Sequence, residues 1–292
     1  MGNTLKSFTN KAIPTGVVLG MGAFGKVEEM RLCEKIVAGK IYQLSVNDDC
    51  SMKKFSSEVI ILAQIRHPNI VEFEGVCQLP GVQLPIILME RLNTNLHSYI
   101  LDPSHENLCH TRKICILRDI ANGLLHLHSL TPPLVHRDLT AKNVLLDSRE
   151  IAKIADFGNA KILDIDPESS NMMTSRPGTL EYMPPEAFGI CSEYDTSLDV
   201  FSFGHLSLFV AIQESPTPSP FFGKDTTGRK RYFDEVERRS TYIAKAEQQL
   251  GKKHCILTII IQCLESEAHD RPATSNILER LDEKGTIIKK QM

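Results

Sequence analysis

The sequence lacks the cysteine pairs and the long apolar runs that would mark a disulfide-rich, zinc-binding or membrane-spanning protein. Its eight cysteines form no C-x-x-C pair and no Cys/His spacing typical of zinc sites. We therefore expect buried or incidental thiols in a reducing compartment. No apolar run approaches the length of a membrane span, and the first residues lack the apolar stretch of a signal peptide. These absences predict a cytoplasmic protein without a transmembrane segment.

The sequence also has no surplus of basic residues, no internal repeat and no low-complexity linker. Its formal net charge is -3 with both signs interspersed, which argues against a surface that holds nucleic acid. Lys6 stands where an N-myristoylation motif usually has Ser or Thr, so we expect no lipid anchor at Gly2. The 42% hydrophobic and 24% charged residues are typical of a globular protein. Nothing in the sequence indicates an oligomeric state.

The spacing of apolar residues divides the chain into two lobes. Short strand-like runs fill residues 16–90 and are interrupted by one helical segment at residues 51–67. After Leu92 the apolar residues recur every three or four positions, as in 114–128, which is typical of helices with one buried face. Further helices are predicted at 197–213, 234–250 and 254–266, and a loop rich in Pro, Gly and Ser at 215–230. The predicted fold class is α+β.

A glycine-rich segment provides the first chemical motif. Gly20, Gly22 and Gly25 form G-x-G-x-x-G, with Val27 two residues later. Glycines let backbone amides approach phosphates that a Cβ would keep away. A dinucleotide-binding turn uses the same pattern but leads into a helix, whereas strand-like runs follow here. The segment therefore predicts a phosphate-covering hairpin, and a purely structural glycine turn stays open on this motif alone.

Further motifs follow the glycine-rich segment in a fixed order. They are Val37-Ala38-Gly39-Lys40, His136-Arg137-Asp138-Leu139 with Asn143, Asp156-Phe157-Gly158, the segment 178–186 ending in Pro185-Glu186, the segment 199–204, and Arg271. In this order they resemble the motifs of eukaryotic protein kinases, with a tyrosine-kinase-like character. The resemblance extends from about residue 16 to residue 281. The chain departs from the family pattern at Gly39, where a β-branched residue is usual, at Pro184, which replaces Ala, and at Phe201, which replaces Trp.

The resemblance implies a bilobal protein kinase fold, with a small antiparallel β-sheet N-lobe carrying one helix and a larger, mainly α-helical C-lobe. We expect an N-terminal extension at 1–12, a kinase domain at 13–282 and a C-terminal tail at 283–292. Within the domain, the expected parts are an N-lobe at about 13–90, a hinge at 90–93 and a C-lobe at 94–282.

The resemblance also implies two cofactors, ATP and Mg²⁺, and a protein substrate. Lys40 is expected to hold the α- and β-phosphates, aimed by Glu58 on the N-lobe helix. Met89 is the expected gatekeeper beside the adenine, followed by the hinge residues. The full set of expected ATP-binding residues is Leu19, Gly20, Gly22, Gly25, Val27, Ala38, Lys40, Met89, Glu90, Leu92, Asn143, Leu145 and Asp156.

The implied chemistry is phosphoryl transfer to a protein hydroxyl. Asp138 is expected to accept the proton of the substrate hydroxyl and to orient its oxygen. Asn143 and Asp156 are the expected Mg²⁺ ligands, because a hard cation prefers oxygen. The expected catalytic set is Asp138, Lys40, Glu58 and Lys142. Asp199 is expected to cap the backbone of the catalytic loop, and Arg271 to pair with Glu186.

Two features bear on the class of hydroxyl and disagree. The basic residue of the catalytic loop, Lys142, lies four positions after Asp138, as in tyrosine kinases. Thr179, in contrast, is typical of serine/threonine kinases. The acceptor-facing segment lies closer to the discriminating chemistry, so Ser/Thr specificity is favoured and tyrosine or dual specificity stays open.

Three alternatives or additions accompany this interpretation. A pseudokinase or scaffold would bind nucleotide without turnover, but such chains usually lose residues equivalent to Lys40, Asp138, Asn143 or Asp156. A small-molecule kinase of related fold generally lacks the A-P-E segment and the late arginine. Arg137 beside the catalytic aspartate suggests activation by a loop phosphate. The candidate phosphorylation sites are Ser169, Ser170, Thr174 and Ser175.

Overall fold

The structure is a computed structural model that divides into two compact units. The first comprises Met1–Thr94 and Leu145–Ala160, and the second Asn95–Val144 and Lys161–Met292. The residues that the structure describes are 7–9, 11–22, 25–42, 49–82, 84–163, 178–179, 182–188, 195–214, 222–224, 230–232, 236–252 and 254–289. None of the helices within these ranges combines the length and the apolar content needed to cross a bilayer.

The described residues of the first unit form a small sheet with one α-helix, as predicted, and the sheet has six strands. Its strands are β1 (Ser7–Thr9), β2 (Ala12–Gly22), β3 (Gly25–Leu32), β4 (Lys35–Tyr42), β5 (Phe73–Gln78) and β6 (Ile86–Glu90). Their order across the sheet is β1-β5-β6-β4-β3-β2. Four of the five pairings are antiparallel, whereas β1 pairs with β5 in parallel. The sheet is therefore mainly, but not wholly, antiparallel, and β1 was not predicted.

Gly39 lies inside β4, and its lack of a side chain is required by the packing. A Cβ at Gly39 would lie 2.2 Å from Met30 Sδ and 3.0 Å from Ile86 Cγ2. Met30 and Ile86 are both fully buried and belong to a core cluster on this side of the sheet. The thioether of Met30 thus fills the space that a β-branched residue would take in related strands, and the strand assignment of this segment is correct.

The helix of the first unit is α1 (Asp49–Gln64). It buries Val59, Ile61 and Leu62 at 9% exposure or less, which anchors its second half. Burying an aliphatic side chain contributes about 1.5 to 3 kcal/mol. Glu58 lies one residue before this buried stretch.

The chain continues through β7 (Thr94–Asn95) into the helices of the second unit. These are α2 (Leu96–Leu101) and α3 (His110–His128), followed by β8 (Leu134–Val135). Asn95 caps α2 by accepting a hydrogen bond from Ser98 N at 2.8 Å. The long buried helix predicted from the periodicity at 114–128 is confirmed, since α3 buries residues such as Leu117 and Leu124.

The chain then returns to the first unit in a short hairpin of β9 (Val144–Leu146) and β10 (Ala152–Ile154). The Asp147 side chain closes the turn by accepting from Arg149 N and Ile151 N, both at 2.8 Å. Ile154 forms an isolated bridge with Ile70. The hairpin therefore leads directly to Asp156 in the same unit.

The rest of the second unit is mainly helical. Strand β11 (Lys161–Ile162) pairs with β8. The elements that follow are α4 (Ser197–Ile212), β12 (Phe222–Lys224), β13 (Lys230–Tyr232), α5 (Val236–Leu250), α6 (Cys255–Cys263) and α7 (Thr274–Lys289). The predicted helices at 197–213, 234–250 and 254–266 are confirmed. Helix α4 is buried from Leu198 to Ile212 and packs against α5 and α6, while α3 packs against α7. It is the centre of this unit.

Two elements of the second unit differ from the prediction. The segment at 215–230, predicted as a loop, contains one strand of the antiparallel hairpin β12–β13 and reaches the start of the other. Phe222 and Tyr232, aromatic residues that favour strands, are register partners there. Helix α7 was not predicted, although Ile277 and Leu281 recur at helical spacing and are both buried.

Candidate functional site

Lys40 is the centre of a buried ion cluster in the first unit. Its side chain leaves β4, and its Nζ donates to both oxygens of Glu58, each at 2.8 Å. A third donation, at 2.7 Å, goes to Asp156 Oδ1. Burial lowers the pKa of Lys40, but the Glu58 and Asp156 carboxylates outweigh it and raise the pKa above its usual value. Lys40 is therefore a fixed, permanently charged ammonium, as a phosphate-binding lysine requires.

Glu58 has no exposed surface and accepts from a second donor, Tyr42. The Tyr42 hydroxyl donates to Glu58 Oε2, and the ammonium of Lys40 lies 5.2 Å from the centre of the Tyr42 ring. Sequence reasoning missed Tyr42. Its position two residues after Lys40 could have indicated it, because alternate residues of a strand point to the same face of the sheet.

Asp156 follows β10 in a left-handed backbone conformation, with φ 63°. Its Oδ1 also accepts from Gly158 N at 3.4 Å, and 41% of its side chain is exposed. Phe157, the next residue, is fully buried, as expected for the D-F-G pattern. Asp156 thus combines a fixed position beside Lys40 with an accessible carboxylate.

The glycine-rich segment forms the predicted hairpin of β2 and β3, in which Gly22 pairs with Gly25. A Cβ at Gly25, with φ +149°, would lie 2.0 Å from the Ile41 carbonyl oxygen, so this glycine is required by the sheet. Gly20, in contrast, has nothing within 4 Å of its Cβ position. A ligand could therefore approach the backbone at Gly20 closely, whereas a side chain at this position would block that approach.

Most of the other expected ATP-binding residues lie on strands, and Leu92 follows the end of β6. Ala38 and Met89 are register partners on β4 and β6, and each is 8% exposed. Leu92 is 9% exposed, while Leu19 on β2 is 36% exposed. Val27 and Leu145 are partly buried.

The Glu90 carboxylate is occupied by contacts inside the first unit. Its Oε1 accepts from Lys153 Nζ and from Glu72 N, both at 2.7 Å. The Glu90 backbone N also donates to the Glu72 carbonyl at 2.9 Å, so these bonds fix the end of β6 to its neighbours in the first unit.

Asp138 lies in the second unit and is held by the segment at 178–179. Thr179 donates to Asp138 Oδ1 twice, from its backbone N at 2.8 Å and from its hydroxyl at 2.9 Å. Asn143 Nδ2 donates to the Asp138 carbonyl at 2.8 Å, which turns the amide oxygen of Asn143 to the opposite side. Lys142 is exposed, and its charge adds to burial in lowering the pKa of His97.

The predicted role of Asp199 as a cap of the catalytic loop is confirmed. Its two oxygens accept from His136 N at 2.7 Å and Arg137 N at 2.9 Å, and His128 Nε2 lies 3.1 Å from Oδ2. Burial raises the pKa of Asp199, but these hydrogen bonds and the neighbouring histidines lower it further than burial raises it. The loop that carries Asp138 is therefore anchored on the buried first turn of α4.

The structure thus assembles the predicted residues in two groups. Lys40, Glu58 and Asp156 converge in the first unit, and Asp138, Asn143 and Thr179 in the second. The candidate phosphorylation sites Ser169, Ser170, Thr174 and Ser175 lie outside the described residues.

Comparison with known proteins adds an independent finding. A family model described as protein kinase domain matches residues 14–281. The chain is 39% identical to mouse "Serine/threonine-protein kinase TNNI3K" over 189 residues, which cover 64% of this chain and 22% of the relative. It is 31% identical to the Arabidopsis thaliana "Wall-associated receptor kinase-like 1" over 277 residues, 90% of this chain and 37% of the relative. The chain thus spans well under half the length of these relatives.

Proposed function

The chain belongs to the protein kinase domain family, and from that premise we propose that it transfers the γ-phosphoryl group of ATP to serine or threonine hydroxyls of proteins. The observation that carries the proposal is the Lys40 ammonium, held by both oxygens of Glu58 at 2.8 Å and by Asp156 at 2.7 Å. Because the ammonium is already held in place, phosphate binding does not have to offset the conformational entropy lost in fixing the lysine side chain.

ATP fits the residues of the first unit. Lys40 provides the cation for the α- and β-phosphates, and the open space at Gly20 lets backbone amides come close to them. Ala38, Met89 and Leu92 supply apolar side chains for the adenine. The four residue types whose loss would mark a nucleotide-binding scaffold are all present, as Lys40, Asp138, Asn143 and Asp156.

Mg²⁺ fits the oxygen donors that the family pattern assigns to it. The Asn143 amide presents its oxygen because its nitrogen is bound to the Asp138 carbonyl, and the Asp156 carboxylate is 41% exposed on its side chain. When bound, the ion offsets charge on the phosphate oxygens. Asp156 would offer this exposed carboxylate to the ion, and Asn143 its amide oxygen.

Asp138 acts as the acceptor of the substrate hydroxyl proton. Thr179 occupies one of its oxygens with two hydrogen bonds and so fixes the direction of the other. This contact supports Ser/Thr specificity, because the segment nearest the acceptor hydroxyl carries the threonine typical of that class. The relatives named as serine/threonine kinases agree with it.

The wider setting is also proposed. We place the kinase domain at 13–282, with an N-lobe at about 13–90, a hinge at 90–93 and a C-lobe at 94–282. A role in signalling and a cytoplasmic location would suit an enzyme that draws on ATP and modifies proteins.

The decisive test combines activity with the class of product. Purified protein is incubated with labelled ATP, Mg²⁺ and a generic protein substrate, and the product is subjected to phosphoamino-acid analysis. We expect phosphoserine or phosphothreonine, and no label with Asp138→Asn. Label only on tyrosine would contradict the proposed hydroxyl class, and nucleotide binding without transfer would support the scaffold alternative.

A further inference from the structure

We propose that Tyr42 is a positioning residue whose hydroxyl sets the Glu58 carboxylate, and with it the first half of α1, for the ion pair with Lys40. The inference rests on the proposed kinase function and adds a third member to its lysine–glutamate pair. It concerns the first unit alone.

The strand geometry places Tyr42 where it can act on α1. Tyr42 ends β4 two residues after Lys40, so both side chains leave the same face of the sheet. Its ring meets Phe55 of α1 edge-on, with ring centres 5.8 Å apart and planes at 86°. Phe55 and Glu58 lie three residues apart on one side of the helix. Tyr42 therefore contacts two successive turns of α1, by its ring and by its hydroxyl.

The hydrogen bonds of Glu58 explain why the hydroxyl matters. Glu58 is fully buried, and its Oε1 accepts from Lys40. Its Oε2 accepts from both Lys40 and Tyr42. A buried carboxylate oxygen that loses a donor carries a substantial desolvation cost. Without the hydroxyl, Glu58 would gain stability by turning toward water, away from Lys40.

The Tyr42 hydroxyl gives the cluster a further donor without adding a charge. Lys40 binds two carboxylates, those of Glu58 and Asp156, so these three groups together carry a net negative charge. Burial and the Glu58 carboxylate, against the opposing effect of Lys40, raise the pKa of Tyr42, so its hydroxyl stays protonated at all working pH values. Tyr42 thus binds Glu58 without competing for Lys40, even when Lys40 turns to phosphate.

The consequence concerns the order of events. The second half of α1 is anchored by the buried Val59, Ile61 and Leu62, whereas Phe55 in the first half is only partly buried. The Tyr42 ring joins that first half to β4 through its edge-on contact with Phe55. Glu58 is therefore placed before any nucleotide arrives, and less binding energy is spent on arranging it.

The first experiment removes the hydroxyl and keeps the ring. Tyr42→Phe is expected to lower kcat/KM for ATP about tenfold, the effect of losing one hydrogen bond to a buried charge. The matched control is Tyr99→Phe, which removes the hydroxyl of another buried tyrosine, bonded to Arg112 Nε at 3.4 Å. We expect wild-type kcat/KM for this control.

A double-mutant cycle distinguishes positioning from general destabilisation. If Tyr42 acts through Glu58, adding Tyr42→Phe to Glu58→Gln should cost no further activity beyond Glu58→Gln alone. Independent, multiplying losses would overturn the inference. So would unchanged kcat/KM in Tyr42→Phe while Asp138→Asn is inactive, an outcome that leaves the proposed function intact.

Amide hydrogen exchange in the absence of nucleotide supplies a measurement apart from activity. In the wild-type protein, amides at 55–59 are expected to exchange slowly, and Tyr42→Phe should accelerate them while amides of α4 stay unchanged. Fast exchange at 55–59 in the wild-type protein would overturn the inference without any variant. Acceleration throughout both units would also overturn it, because it would show a general loss of stability.

Discussion

Arg271 forms a two-point ion pair with Glu186, with Nη1–Oε1 and Nη2–Oε2 distances of 2.5 and 2.9 Å. The Arg271 side chain is fully buried and lies 4.9 Å over the ring of Phe201. It also donates to the carbonyls of Glu265 and Ser266. One guanidinium thus ties together segments that are 85 residues apart in the chain.

Replacement of Arg271 by Met should destabilise the protein by about 3 to 5 kcal/mol, because Glu186 and several carbonyls lose their donor. Urea unfolding measures the change. Arg149→Ala is the control, since the Arg149–Asp147 pair is 3.6 Å long with 78% of the arginine side chain exposed, and its loss should be far smaller. Equal losses for the two variants would contradict the importance given to burial.

Lys40→Met and Asp138→Asn should both reduce phosphoryl transfer by about a hundredfold or more, but they should differ in stability. Lys40→Met leaves the buried Glu58 without its cation and should lower the melting temperature clearly. Asp138→Asn keeps the size of a side chain near the surface and should melt almost as the wild type does. Thermal melting alongside the transfer assay checks this, and full activity in either variant would remove that residue from the chemistry.

Gly39→Val should destabilise the first unit by about 1 to 3 kcal/mol, because its side chain would overlap Met30 and Ile86. The second change Met30→Ala makes room and should restore part of the loss. Gly20→Ala, where the Cβ meets nothing within 4 Å, should leave the melting temperature unchanged and raise KM for ATP. Denaturant titration of the three variants tests the packing argument, which fails if Met30→Ala worsens Gly39→Val.

His205 should make stability fall in mild acid. Burial lowers the pKa of His205 from 6.5 to about 3. Between these two pH values the histidine is protonated in the unfolded chain but stays neutral in the folded protein. Stability from this group is complete above pH 6.5 and decreases as the pH falls toward 3. Between pH 7.5 and 5.0 the wild type should lose about 2 kcal/mol more than His205→Leu. Unfolding curves at the two pH values test this, and parallel losses would contradict it.

The residues of the candidate site were largely predictable from the sequence because their chemistry restricts the residue type. Binding phosphate and accepting a proton need an ammonium and carboxylates, and Lys40, Asp138 and Asp156 stand in motifs whose order alone is specific. Glu58 followed from the single helix among strands. The capping of the catalytic loop by Asp199 was predictable from the resemblance of the segment 199–204 to the protein kinase pattern.

Tyr42, β1 and the fit at Gly39 could not be predicted, because each depends on which face or edge meets a distant segment. The partner of Tyr42 is set by the rotation of α1 about its own axis, which single-sequence patterns do not give. Gly39 departs from the residue usual in this strand, and only the structure shows that Met30 occupies the space where its side chain would lie. The parallel pairing of β1 depends on a contact between Ser7–Thr9 and residues about 70 positions later.

That parallel pairing matters to anyone who trims the chain for expression. Ser7–Thr9 is the edge strand of the six-stranded sheet and covers the backbone of Val76–Gln78 on the next strand. A shortened protein that starts at the first residue of β2 would leave those amides and carbonyls unpaired. An edge strand with unpaired backbone groups can pair with a strand of another molecule. Aggregation of such a shortened protein would result from the loss of its edge strand and not from a defect in the catalytic residues.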